Sequence, residues 1–240
     1  MIGRLSVEEY LRNQKDFERD DWEITGSKSA DSPYTINFGY EFDIYIKEAI
    51  DLNKQILDLA APLSSLKSQY PSIKHRAIEI CSSDKVDNDL DQIYANIFNK
   101  KAYITIKKKH QNGLDLITYR PWGALSTLRS YIHYLQNLLL IINYSNLLNN
   151  GGRFYIESPF RNCSCHPLGE IFLNNISQLL GDNFEVEIND KYILVKRVKK
   201  NKTTDYISLK ALLLMITQNG YTEEHFHYQK ILNYFRVFDF

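Results

Sequence analysis

Three cysteines and one histidine are the residues of this sequence best suited to binding a metal ion. Cys163, Cys165 and His166 lie together in the segment RNCSCHP, and Cys81 follows a β-rich run earlier in the chain. Thiolate and imidazole groups are zinc ligands, so these four residues could form one tetrahedral site if the fold brought them together. Because Cys-x-Cys-His is not a standard spacing for structural zinc, we predict no metal site and keep the cluster as an alternative.

Two other segments contain side chains that could hold a small molecule. In AIEICSSDK, Glu79 is followed by the small residues Cys81, Ser82 and Ser83. Small residues after a strand let a ligand come close to the backbone, although the same pattern also occurs at an ordinary strand end. In TYRPWGAL, the segment from Tyr119 to Trp122 places an aromatic ring after a strand, which is either a stacking platform or a packed turn.

Basic runs at residues 100–109 and 191–202 could bind an anionic partner. The alternating aromatic and basic residues of AYITIKKKH could stack on bases and contact phosphates, whereas many lysine runs are only solvated helix or strand faces. The whole chain has 29 basic and 29 acidic residues and no net charge. A positive electrostatic potential at the basic runs would therefore be local.

The composition indicates a folded protein of ordinary globular type. Of the 240 residues, 44% are hydrophobic and 24% are charged, which disfavours a disordered, collagen-like or membrane-spanning chain. The longest apolar run, LLLII at residues 138–142, is too short to span a bilayer. The odd number of cysteines and the absence of an apolar signal segment in MIGRLSVEEY predict a cytoplasmic (intracellular) protein without a membrane partner.

Hydrophobic spacing predicts the elements that must position the candidate residues. An amphipathic helix is expected from Phe42 to about Ala60, ending at Pro62, with a short helix in LSSLKSQY before Pro71. Three strands are expected in RAIEICSS, AYITIKKK and LDLITYRP, with a helix in VDNDLDQIYANIF between the first two.

The second half of the chain continues the alternation of helices and strands. A long helix with inward positions from Leu125 to Ile142 is followed by the Gly151–Gly152 turn and the strand RFYIES. A helix in PLGEIFLNNISQLLG then leads to a hairpin formed by FEVEIND and YILVKRVKK. This pattern predicts an α/β fold with a mostly parallel, Rossmann-like sheet and a terminal antiparallel hairpin. We expect a helical N-terminal extension at residues 1–72, the α/β domain at 73–200 and a two-helix C-terminal tail at 201–240.

The element order resembles that of the class I S-adenosylmethionine-dependent methyltransferases, and the resemblance covers roughly residues 73–199. In that family a Gly-Gly turn commonly precedes the fifth strand, as LLNNGGRFYIES does here, and the last two strands form the hairpin. The first strand of the family ends in an acidic residue and a glycine-rich loop, and the second ends in an acidic residue that binds the ribose hydroxyls. The segment TYRPWGAL is similar to a degenerate form of the family's Asn/Asp-Pro-Pro-Tyr motif.

The resemblance implies a cofactor site and a catalytic segment. Glu79, Cys81, Ser82, Ser83 and Tyr119 would then bind S-adenosylmethionine. In the same interpretation, Tyr119 and Trp122 would face the methyl acceptor as the catalytic residues. Catalysis by positioning a nucleophile in line with the methyl group requires few specific side chains.

Two hypotheses about function follow from the resemblance. In the first, the chain is a divergent methyltransferase that acts on nucleic acid or on another anionic acceptor. A protein is one possible acceptor of this kind. In the second, it is a catalytically inactive methyltransferase-like binding or scaffold protein that docks a partner subunit. The second is favoured by Cys81, Ser82 and Ser83, which replace the expected glycines, and by Lys107 and Lys108, which replace the ribose-binding acid. The first is favoured by the acidic Glu79 at the strand end and by the Pro-Trp pair that ends at Trp122, so the two hypotheses are nearly balanced.

Overall fold

The computed structural model describes residues 33–59, 65–73, 77–81, 91–94, 97, 100–120, 131–157, 176–189, 191–199, 206–208, 211–212 and 215. The helices are α1 (Tyr34–Asp51), α2 (Ser65–Gln69), α3 (Lys100–Lys109) and α4 (Tyr131–Ser145). Short 3₁₀ turns lie at Pro71–Ile73 and Gly181–Asn183, and residues 176–180 are helical. The strands are β1 (Ile56–Leu59), β2 (Ala77–Cys81), β3 (Asp91–Tyr94), β4 (Leu114–Tyr119), β5 (Leu148–Glu157), β6 (Phe184–Ile188) and β7 (Tyr192–Arg197).

The strands form one seven-stranded sheet in the order β3-β2-β1-β4-β5-β7-β6. Strands β1 to β5 are parallel to one another, whereas β7 pairs antiparallel with both β5 and β6. The mostly parallel sheet with a terminal antiparallel hairpin that the sequence predicted is therefore confirmed.

Helices cover both faces of the sheet. The buried side of α1 packs on one face, in a cluster that includes Ile56, Leu116, Tyr155 and Leu194 from four strands. On the other face, the Tyr119 hydroxyl donates a hydrogen bond of 2.8 Å to Asn137 in α4. All four residues of β1 are buried, as expected of a central parallel strand covered on both sides.

The prediction that the first long helix continues to about Ala60 is wrong. Helix α1 ends at Asp51, and Asn53 has a positive φ of 55°, a conformation that asparagine tolerates and that ends a helix. Residues 56–59 then form β1, an interior strand of the sheet, within the range that the sequence assigned to the N-terminal extension. The periodicity was misleading because four consecutive apolar-rich positions fit both a buried strand and a helix.

Two further predicted elements have the opposite secondary structure. AYITIKKK, predicted as a strand, lies in helix α3, and VDNDLDQIYANIF, predicted as a helix, contains strand β3. A parallel sheet needs a crossover between β3 and β4, and α3 supplies it despite its β-branched residues. The short helix before Pro71, the long helix α4 and the β6–β7 hairpin are confirmed. Most of the C-terminal tail predicted at 201–240 lies outside the described residues.

The two glycines predicted to follow a helix end instead lie inside β5. Helix α4 already ends at Ser145, and β5 begins at Leu148. The pairing of β5 with β4 moves from Leu148 opposite Leu114 to Arg153 opposite Leu116, so the residues between them form an irregularity in the strand. Gly151 has a φ of 77°, which confirms the requirement for a residue that accepts positive φ.

Candidate functional site

The sheet has one place where its strand order reverses, between β1 and β4. From β1 the chain proceeds outward through β2 and β3, whereas from β4 it proceeds the opposite way to β5. In open α/β sheets, ligands bind in the crevice outside the carboxyl ends of the strands at such a reversal point. The side chains at the carboxyl ends of β1 and β4 therefore define the candidate site.

Asp58 is the ionisable residue of β1 at this reversal point, and it is completely buried. One carboxylate oxygen accepts a hydrogen bond from the Tyr34 hydroxyl, and the other accepts one of 2.6 Å from the Thr118 hydroxyl. Burial raises the pKa of Asp58 to about 6, against the opposing effects of the two hydrogen bonds and the charge of Arg120. A carboxyl with this environment carries its negative charge near neutral pH but loses it in mild acid.

Arg120 follows β4 directly and brings a cation to the same site. It is completely buried, and its guanidinium carbon lies 4.6 Å from the centre of the Tyr34 ring. Its Nε lies 3.4 Å from a carboxylate oxygen of Glu157, the last residue of β5. The carboxyl ends of β1, β4 and β5 and the first turn of α1 thus contribute a connected group of Asp58, Tyr34, Arg120 and Glu157.

The structure describes three of the sequence-predicted site residues. Glu79 is paired with Asp58 across β1 and β2, and Cys81 is the last residue of β2 at the same edge of the sheet. Tyr119 is the last residue of β4, but its ring is fully buried and its hydroxyl is bonded to Asn137. Burial raises the pKa of the Tyr119 hydroxyl well above its usual value. Ser82, Ser83 and Trp122 lie outside the described residues.

The strand assignment behind the predicted cofactor site needs correction. AIEIC was interpreted as the first strand of the sheet, but it is β2, and the first strand is ILDL at β1. The acidic residue of the first strand is therefore Asp58, whereas Glu79 belongs to the strand whose family counterpart binds ribose hydroxyls. Lys107 and Lys108 lie in helix α3, so they do not occupy the ribose position.

Sequence reasoning missed Asp58, Thr118, Tyr34 and Glu157 as members of the site. An acidic residue in the buried run QILDLAAP, followed by small residues, was the signal that could have identified β1. Tyr34 was missed because it lies before the predicted start of its helix. It also comes to the strand ends only because α1 packs on the sheet, which the sequence does not show.

The alternative metal cluster is not tested by the described part of the chain. Cys163, Cys165 and His166 lie outside it, and only the backbone position of Cys81 is described. Among the described side chains, no group of three or more potential ligands is placed to hold a metal ion. In the same ranges, no helix combines the length and apolar character needed to cross a membrane.

Comparison with known proteins gives matches among solved structures. No protein-family model and no curated protein matches the sequence. A MycE methyltransferase from the mycinamycin biosynthetic pathway, in complex with Mg and SAH, is 14% identical with a TM-score of 0.49, over 85% of this chain and 61% of that chain. Across three structures of MycE, this chain spans between 50% and 61% of the MycE length.

Two other solved structures are also methyltransferases. The N-methyltransferase NodS from Bradyrhizobium japonicum WM9, in complex with S-adenosyl-l-homocysteine, is 15% identical over 78% of this chain and 96% of that chain, with a TM-score of 0.36. An O-methyltransferase family protein from Burkholderia thailandensis is 10% identical over 84% of this chain and 73% of that chain, with a TM-score of 0.37. The order of the seven strands and the antiparallel pairing of the last two give this chain the fold of the class I S-adenosylmethionine-dependent methyltransferases.

Proposed function

We propose that this protein is a divergent methyltransferase that binds S-adenosylmethionine at the carboxyl ends of β1, β2 and β4. The observation that supports this most directly is the buried Asp58 carboxylate at the reversal point of a methyltransferase-type sheet. A buried charge is costly to maintain, so a carboxylate placed where such sheets bind ligands is a functional candidate.

The chemistry of the site fits this cofactor. S-adenosylmethionine carries an ammonium group, a sulfonium group and ribose hydroxyls, and carboxylate oxygens attract or accept from all three. Asp58 and Glu157 provide such oxygens at the strand ends, and Glu79 has its backbone position beside Asp58. Ala60 and Ala61, which follow β1 in the sequence, are small enough for close approach to the backbone.

The roles of this chain's residues follow from these positions. Glu79, Cys81, Ser82 and Ser83 would hold the cofactor from the β2 side, and Asp58 would orient it from β1. Arg120 would provide a cation for the cofactor's carboxylate. Tyr119 and Trp122 would border the acceptor, with Tyr119 acting through its backbone because its hydroxyl is bonded to Asn137. When bound, S-adenosylmethionine supplies an electrophilic methyl group, and the protein's contribution is to align the acceptor with it and exclude water.

An anionic acceptor, such as nucleic acid, is supported by helix α3. This helix has five lysines among ten residues and no acidic residue. Four of the lysines, Lys100, Lys101, Lys108 and Lys109, are exposed. A positively charged helix on the protein surface raises the local concentration of a polyanion.

One observation favours the second function, that of a non-catalytic scaffold. Both oxygens of Asp58 accept hydrogen bonds from the chain's own side chains, Tyr34 and Thr118. A scaffold that has lost its cofactor would keep such a carboxylate as a closed structural network.

Calorimetric titration with S-adenosylmethionine and S-adenosylhomocysteine distinguishes the two functions. For an enzyme we expect binding in the micromolar range, weakened roughly tenfold or more in Asp58→Asn and Glu79→Ala, since a lost charge-assisted hydrogen bond is worth about 1.5–3 kcal/mol. The matched control is Asp115→Asn, because Asp115 lies at the amino end of β4, where its carboxylate binds the backbone of Gln55. Thermal melting of each variant verifies folding. No heat at millimolar ligand with the wild-type protein would reject the methyltransferase proposal and leave the scaffold function.

A further inference from the structure

Helix α1 is divided by Gly39 into a short first segment and a long second one. Gly39 has φ 80° and ψ −180°, a non-helical conformation that lies essentially in glycine-only territory. The residues before it, 34–38, and the residues after it, 40–51, are each helical. The first segment is therefore connected to the long helix through one residue whose two dihedrals can change without moving the rest of α1.

The first segment is fastened to the candidate site at its far end by Tyr34. The Tyr34 hydroxyl donates to Asp58, its ring faces the guanidinium of Arg120, and its backbone N–H donates a hydrogen bond of 2.6 Å to the Gln69 side chain. Near the glycine, Phe38 packs against Phe42 with ring centres 5.0 Å apart. The side chains of Tyr34 and Phe38 also belong to the buried apolar cluster: the Tyr34 ring stacks on Phe42, and Phe38 lies against Tyr155 and Tyr192. Opening the segment therefore breaks these ring contacts as well as the polar contacts of Tyr34.

The Tyr34–Asp58 bond has a direct consequence for any ligand of Asp58. Because the second carboxylate oxygen is bonded to Thr118 from within the sheet, Tyr34 occupies the side of the carboxylate that faces α1. Asp58 is completely buried, so a ligand hydroxyl or ammonium can reach this oxygen only if Tyr34, which covers it from the α1 side, moves away.

We propose that residues 33–38 form a hinged cover over the strand-end site, that Gly39 is its hinge and that the Tyr34–Asp58 hydrogen bond is its latch, which a bound ligand displaces. The proposal rests on the proposed function only in taking Asp58 as part of the cofactor site. In the structure the hydrogen bond is formed, so the cover is latched. A ligand opens the cover to the extent that it binds the open form more tightly than the closed one.

Amide hydrogen exchange of the wild-type protein tests the hinge without any substitution. We expect residues 34–38 to exchange as a separate unit, faster than residues 42–50 of the same helix, because a hinged segment opens without global unfolding. Tyr34→Phe should accelerate exchange of 34–38 by roughly tenfold and leave 42–50 unchanged, since the lost bond corresponds to about 1.4 kcal/mol.

The matched control is Tyr70→Phe, which also removes a tyrosine–aspartate hydrogen bond to α1. Tyr70 donates to Asp43, a residue on the long side of Gly39, so this variant should not accelerate exchange of 34–38. Exchange of 34–38 and 42–50 at one common rate in both the wild type and Tyr34→Phe would overturn the hinge.

Titration of the wild type and Tyr34→Phe with S-adenosylhomocysteine tests the latch, because the latch predicts whether the substitution tightens or weakens binding. If Tyr34 competes with the ligand, Tyr34→Phe tightens binding by up to roughly tenfold, because the closed form no longer withholds the site. Weaker binding in Tyr34→Phe would overturn the latch and make Tyr34 a positioning residue for Asp58. If the ligand binds neither protein, the proposed function fails, and the exchange of 34–38 in Tyr34→Phe alone decides for or against the cover.

Discussion

Thr118 and Asp58 are direct partners across β4 and β1, and the Thr118 hydroxyl donates a hydrogen bond of 2.6 Å to the Asp58 carboxylate. Both residues are completely buried. Because these two strands meet where the strand order reverses, this bond lies at the centre of the candidate site. It also gives the buried carboxylate one of its two donors, so the stability of the sheet and the charge of the site depend on the same contact.

Replacing Thr118 with valine should therefore destabilise the protein. Valine keeps the branched shape but removes the hydroxyl, which leaves one oxygen of a buried carboxylate without this donor. We expect the free energy of unfolding at pH 7 to fall by about 1–3 kcal/mol, measured by urea denaturation. The pKa of Asp58 should rise further, because the Thr118 hydrogen bond lowers it.

The control for this variant is Thr105→Val. Thr105 donates to the Lys101 carbonyl within the partly exposed helix α3, where water can replace the lost bond. This variant should change the unfolding free energy by less than about 0.5 kcal/mol. A similar loss in both variants would show that the effect of Thr118→Val comes from the substitution type and not from Asp58.

Stability should depend on pH through Asp58. Its pKa is raised from 3.8 to about 6 by burial, so between these values the folded state binds more protons than the unfolded state. The free energy of unfolding therefore has a negative slope in this window, and the contribution of Asp58 to stability is lost as pH rises from about 4 to about 6. The shift corresponds to a loss of about 3 kcal/mol across the window, with no further change above it.

Comparison of the wild type with Asp58→Asn isolates this contribution. Asparagine has nearly the same shape and does not titrate, and other carboxylates contribute equally to both proteins. Urea unfolding at intervals between pH 4 and pH 7 should show the wild type losing stability relative to Asp58→Asn. A difference between the two proteins that stays constant with pH would mean that the pKa of Asp58 is not raised.

The sheet was predictable where local signals agreed with the tertiary structure. The β6–β7 hairpin has two β-rich runs around a tight turn, and Asn189 accepts hydrogen bonds from the backbone of Lys191 and Tyr192. Turn chemistry and strand propensity pointed to the same structure there. The strand β4 was equally clear, since LDLITY is a buried run that ends before a proline.

The candidate site was harder to predict because its position depends on which run of residues forms the first strand of the sheet. β1 has only four residues and follows helix α1 after a short turn, so its apolar positions continued the helical pattern. In α3, the isoleucine and threonine residues favour a strand, but Ala102, Tyr103 and Ile106 form a buried helical face. The first error moved the expected first strand to β2, so that Asp58 was missed. The second placed the expected second strand in α3 and thereby put Lys107 and Lys108 at the ribose position.

The hinge residue provides a third prediction. Gly39→Ala places a side chain at φ 80° and ψ −180°, which should lower the free energy of unfolding by about 1–3 kcal/mol. A Cβ at this position would lie 4.0 Å from the Tyr192 ring, so the cost is conformational and not steric. The variant relieves its strain by leaving the closed conformation, and amide exchange of residues 34–38 should accelerate.

Gly181→Ala is the control for Gly39→Ala. Gly181 also has a positive φ, 64°, with no atom within 4 Å of an added Cβ. It should lose about 1 kcal/mol of stability without any selective change in the exchange of residues 34–38. Equal exchange of that segment in the two variants would contradict the role of Gly39 as a hinge.

The adjacent glycines of β5 provide the last prediction, because they are required for different reasons. Gly151 has a φ of 77° and open space around a Cβ, so Gly151→Ala should cost only about 1 kcal/mol. At Gly152, a Cβ would lie 2.9 Å from the carbonyl oxygens of both Asn149 and Leu114. These are backbone atoms of β5 and β4, which cannot move without disturbing the strand pairing.

Gly152→Ala should therefore destabilise the protein by clearly more than Gly151→Ala, by about 2–4 kcal/mol in urea unfolding. Overpacking between two paired strands forces a backbone shift, whereas strain at an exposed positive φ affects one residue only. If Gly151→Ala were the more damaging of the two, the close approach of Gly152 to β4 would not be the feature that requires glycine. The irregularity in β5 would then depend on its positive φ and not on the space between the strands.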